Sequence, residues 1–140
     1  MTPQELLNWQ LQHVGKQLMK AYEGMASSSW DHRNSPGAMS PREAAEHLCE
    51  CYTAFNTTAA GGKHEWGSFQ LVDKSEANLI ATMNTIRCQA VATAVGADDE
   101  NLHREATEYL LTHDAYHVGQ LCASRLDSDP NWNASAIYEE

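Results

Sequence analysis

The chain has 140 residues, 42% of them hydrophobic and 20% charged, and nineteen acids against nine bases give a formal net charge of −10. That length suits one domain, residues 1–140, with its own hydrophobic core. So acidic a surface argues against nucleic acid and anionic membrane as partners, because both present phosphates that it would repel.

No run approaches the ~20 apolar residues of a membrane span. The start, "MTPQELLNWQ", has neither the basic nor the apolar region of a secretory signal. Four cysteines, Cys49, Cys51, Cys88 and Cys122, show no disulfide-scaffold spacing. A reducing, cytoplasmic setting is the expectation.

Apolar residues three and four apart predict helices. The first runs from about Thr2 to Met25, with Leu7, Leu11, Val14, Leu18, Ala21 and Met25 as its seam. "SSSWDHRNSPGAM" reads as a loop. "SPRE" then starts a second helix, with Ser40 as N-cap, Pro41 at the first helical position and Glu43 closing a capping box. Its seam is Ala44, Leu48, Cys51 and Phe55, and it ends near Thr58. Residues 61–72, "GGKHEWGSFQLV", read as an ordered loop or a short hairpin. A third helix follows Asp73 or Ser75, carries Leu79, Met83, Ile86, Ala90 and Ala94, and closes at Gly96. The last, from about Asp99 to Leu126, gathers Leu102, Ala106, Tyr109, Leu110, His113, Tyr116, His117, Gln120 and Leu121 on one face. Beyond Pro130 there is no strong period. The expected fold is all-α, an up-and-down or crossover four-helix bundle.

Within "LLTHDAYHVGQL", His113 and His117 project within ~40° of each other, one turn apart. Imidazoles turned into a bundle need partners for their nitrogens, and a divalent cation satisfies both. A third ligand from another helix would be His47, at the shoulder of the second seam. Three imidazoles with open positions describe a catalytic type of metal site. His13 is off its seam, His32 and His64 lie in loops and His103 is ten residues from His113, so these are expected to meet solvent or surface partners. Cys51, four residues after His47, is a core residue or a substitute ligand. Cys49 and Cys51 point ~160° apart on a helix and cannot chelate together, and Cys88 and Cys122 face away from their seams. Gln120 could orient a ligand.

"SPREAAEHLCECYTAF" and "HDAYHVGQL" together resemble the DinB-like (YfiT-like) superfamily of metal-binding four-helix bundles, over about residues 1–126. The resemblance places a metal triad on His47, His113 and His117, with Gly119-Gln120 completing the motif. It implies zinc or nickel as cofactor and a homodimer. It also implies metal-dependent chemistry on a small molecule, either a transferase using a low-molecular-weight thiol or a hydrolase. Two other classes stay open: a metal-binding stress or sensor protein without turnover, and a bundle whose histidines only pack. Residues 61–72 have no counterpart in the motif.

Overall fold

All regular structure in the computed structural model, which describes residues 1–140, is helical. The elements are α1 (Pro3–Tyr22), a one-turn α2 (Ser27–Trp30), α3 (Pro41–Ala59), α4 (Glu76–Val95), α5 (Glu100–Ala106) and α6 (His113–Ser128). A π-helical turn at Thr107–Thr112 joins α5 to α6, so the two form one continuous rod, and a 3-10 turn at Ala134–Tyr138 ends the chain.

The helix starts are written in the sequence. Thr2 and Ser40 each accept a hydrogen bond from the backbone of a glutamate three residues on, Glu5 and Glu43, whose carboxylates return to the cap N–H. "TPQE" therefore repeats "SPRE". Ser75 and Asp99 cap α4 and α5 through their side chains.

Cross-links between helices give their directions. Gln4 reaches the Val95 carbonyl and Arg87 the Leu11 carbonyl, so α1 and α4 are antiparallel. Arg42 meets Glu76 and Asn56 meets Ile86, so α3 and α4 are parallel. Arg125 binds the Ala21 carbonyl while Asp114 lies near Leu11 through Arg87, so the last rod runs with α1. It is therefore antiparallel to α3. The packed pairs α1–α6, α1–α4, α3–α4 and α3–α6 close a ring around the core.

A parallel pair joined in sequence needs a connection that travels the length of a helix. A helix of 19 residues is ~28 Å long, and this is what residues 60–75 cover. No strand forms there, so the hairpin alternative is wrong and the ordered loop is right. Glu50, midway along α3, holds this loop by accepting from the His64 ring at 3.0 Å and from the Gly67 N–H. Gly67 has φ +89°, a left-handed conformation that favours glycine.

Leu11, Leu18, Leu48, Leu79, Met83, Leu110 and Leu121 fill the centre. Several seam assignments shift. α1 ends at Tyr22, three residues early. Cys49 is fully buried and Cys51 only partly so, the reverse of the expected seam. On α4, Arg87 is buried while Ile86 packs at the margin. Cys88 is exposed as expected, but Cys122 packs partly against the core. α2 occupies part of the expected loop, and Trp30 from it is buried.

The last rod departs most from the regular helix that its periodicity predicts. A π turn takes in an extra residue, and that rotates everything after it by about one residue, ~100°. The innermost line is Ala106, Leu110, Asp114, Val118, Leu121 and Arg125, all buried. Tyr109 and Tyr116, expected inside, are 56% and 63% exposed. His113 and His117 are carried round toward α3.

Candidate metal centre

The rotation and the antiparallel arrangement bring three histidines together. His47, in the second turn of α3, presents Nε2 at 3.3 Å from His113 Nε2, and His117 Nε2 lies 3.1 Å from the same atom. One ligand nitrogen from each ring falls within 4.8 Å of the others. Imidazoles sharing one ion at 2.0–2.1 Å have nitrogens roughly 2.8–3.4 Å apart, from octahedral to tetrahedral angles. The two measured separations fall in that interval and do not choose between the geometries.

His117 is buried, and His47 and His113 are half-buried at the edge of a cleft. Burial pushes all three imidazoles below their ordinary range, most strongly His117, which falls to about 4. The neighbouring rings add to the shift at His47 and His117. At neutral pH the three are uncharged, as metal ligands must be.

Proton placement makes the same point. His117 Nδ1 lies 2.9 Å from Gln120 Oε1. With that amide orientation Nδ1 carries the hydrogen and Nε2 turns a lone pair to the cluster. His113 Nε2 has one hydrogen at most, yet faces a ring nitrogen on each side. A cation among the three would satisfy every lone pair at once. The residues present thus fit a divalent metal.

Asp114, next to His113, is fully buried and accepts from Tyr52 at 2.6 Å and from Arg87 Nε at 2.9 Å. Burial raises its carboxyl while Arg87 pulls it down. Arg87 also donates to the Leu11 carbonyl, and a Cβ at Gly15 would collide with its guanidinium. One polar network therefore ties α1, α3, α4 and α6 directly behind the histidines.

A cleft of about 580 Å³ opens from His47 and His113 along the α3–α5 side. Cys51, Ala54 and Phe55 line it from α3, Tyr109 from the π turn and Trp66 from the loop. Cys51 Sγ is 3.5 Å from His47 Nε2 but lies outside the cluster of three ligand atoms, and burial pushes its thiol up to about 12. A larger groove of about 850 Å³ runs along α1 and α4, away from the triad.

The other histidines stay apart. His13 stacks on Trp9, His32 pairs with Asp127 and His103 meets the Ala97 carbonyl. The His64 side chain is only 7% exposed, more enclosed than a loop position implies, because Glu50 holds it. Arg87, Asp114 and Tyr52 escaped the sequence reading. The signal available was an arginine at a core-phase position of α4. No helix is long and apolar enough to cross a membrane. Scans against protein-family models, curated proteins and solved structures found no match.

Proposed function

We propose that this chain is a cytoplasmic DinB-like four-helix-bundle protein holding one divalent ion, zinc or nickel, on His47, His113 and His117. It uses that ion for chemistry on a small molecule, of the thiol-transferase type. The observation that carries the reading is the convergence of three uncharged imidazole nitrogens at the end of an apolar cleft.

When bound, the ion would supply Lewis acidity, which lowers the pKa of a thiol so that thiolate is present at neutral pH. The chain's contribution is in three parts. Neutral ligands leave the ionic charge uncompensated, which favours an anionic sulfur. Gln120 fixes the His117 ring. Ala54 and Phe55 keep water from one wall of the cleft, whose volume suits a small molecule rather than a macromolecule. The cytoplasmic setting accords with four free cysteines. Leu6 and Trp9, exposed one turn apart on α1, are candidates for the homodimer contact.

Cobalt-loaded protein tests the reading. A cellular thiol should add a thiolate band to the visible spectrum and then be consumed on an electrophilic partner. An unchanged spectrum and no turnover across a thiol panel would overturn it, and turnover of esters alone would make the protein a hydrolase.

A further inference from the structure

The cleft has a direction. On the last rod, Glu105, Tyr109 and His113 succeed one another at intervals of four, and all three line it. On antiparallel α3, Thr58, then Phe55 and Ala54, then Cys51 and His47 line it in matching order. Its metal end is therefore opposite an end formed by Glu105 and the last turn of α3. The eight residues from Glu105 to His113, one of them taken up by the π turn, set the separation at ~10 Å along the rod.

The far end is negative on three counts. Glu105 contributes a carboxylate. The last turn of α3 has no basic residue, so the negative end of its dipole is uncompensated there, with the Asn56, Thr57 and Thr58 carbonyls already held by the N–H groups of Ala60, Gly62 and Gly61. No lysine or arginine lines the cleft. Arg104 is turned to Glu100, and Lys63 lines a separate groove on the other side of the loop. Two exposed aromatic rings also line the cleft, Trp66 at 68% and Tyr109 at 56% exposure, together with buried Phe55. Exposed aromatic faces beside a carboxylate are the surroundings that hold an organic cation.

We propose that this cleft selects an elongated small molecule with an apolar or aromatic body and an ammonium group at the end remote from the metal. The inference rests on the proposed function for which end is the metal end. The ammonium meets Glu105 at the negative end of the α3 dipole, and the body lies between Trp66 and Tyr109. Glu50 is a positioning residue here, since its grip on His64 and Gly67 holds the segment that carries Trp66.

The test compares three isosteric probes, 4-phenylbutylamine, 4-phenylbutanol and 4-phenylbutanoate, by titration calorimetry on full-length protein. Metal-free and zinc-loaded forms are both measured. In metal-free protein the amine should bind about fivefold or more tighter than the alcohol, and the carboxylate weakest. Glu105→Gln should bring amine and alcohol level. Trp66→Leu should weaken the amine and the alcohol alike, since it removes a wall from the body they share. An amine preference that survives Glu105→Gln would come from the overall −10 charge and would overturn the assignment. Equal affinities, or no binding by any probe, would also overturn it. Failure of the metal reading would appear instead as absence of zinc uptake, leaving the metal-free series intact.

Discussion

Arg87 and Asp114 meet at 2.9 Å in the interior, and Asp114 follows His113 directly in the chain. The ion pair is almost free of solvent, with side chains 6% and 0% exposed. A buried pair of this kind does little for net stability against an apolar replacement, but losing one partner strands the other charge. Asp114→Ala should cost on the order of 3–5 kcal/mol in urea unfolding, and Arg87→Met with Asp114→Leu markedly less. A double variant as unstable as the single one would contradict this account.

Metal content should follow the triad. Purified protein is expected to carry about one divalent ion per chain, and His117→Ala should lose most of it. His103→Ala should keep it, since that ring meets only the Ala97 carbonyl. Elemental analysis decides, and equal content in all three proteins would remove the assignment.

Gln120 should matter without touching the ion. Removing the acceptor for His117 Nδ1 frees the tautomer and the ring orientation. Gln120→Leu is expected to weaken metal affinity by roughly 10–100-fold while leaving the fold intact. An unchanged affinity in a competition assay would make the hydrogen bond merely structural.

Acid should destabilise the metal-free protein. The fold lowers the pKa of His47, His113 and His117, chiefly by burial, and His117 reaches about 4. In the unfolded chain these rings titrate near ~6.5. The unfolded state therefore takes up protons first as pH falls. Stability should be full above about pH 7 and decline from ~6.5 toward 4, with His117 contributing on the order of 2 kcal/mol after allowance for solvent at the cleft. Zinc should raise the melting temperature at pH 8, and less at pH 5, where protons compete for the nitrogens. A metal-free protein equally stable at pH 7.5 and 5 would refute this.

Thiol reactivity should separate the cysteines. Cys49 is fully buried, and burial holds both it and Cys51 up at about 12, so neither offers thiolate at neutral pH. Cys88 is exposed. Alkylation monitored by mass should modify Cys88 first, and early loss of Cys51 would show an environment other than the one described.

The four long helical segments were legible because each has a side-chain cap, at Thr2, Ser40, Ser75 or Asp99, and an apolar seam, whereas one-turn α2 has no side-chain cap and reads as loop. The triad was legible because its members recur at helical spacing on helices whose apolar faces must meet. What the sequence hid was phase. Counting at 100° per residue places Tyr109 and Tyr116 inside and gives Asp114 no special position, and nothing in "TEYLLT" marks a π turn. The role of residues 61–72 was hidden as well, because it follows from α3 and α4 being parallel, which neither segment encodes alone. Arg87 was passed over because a charged residue is read as surface unless its partner, 27 residues on, is known.

The π turn also frees the last rod from a strict residue count. It absorbs one residue, so α5 and α6 each face the core squarely although no single straight helix could carry both patterns. Deleting one residue within 107–112 would let the segment close into ordinary α geometry without turning either flank. Asp114 and the histidines would keep their bearings, and the distance from Glu105 to the triad would stay nearly unchanged, because a π turn holds its extra residue within about the height of one α turn. The rod thus carries one spare residue, and a single deletion there leaves the three histidines where they are.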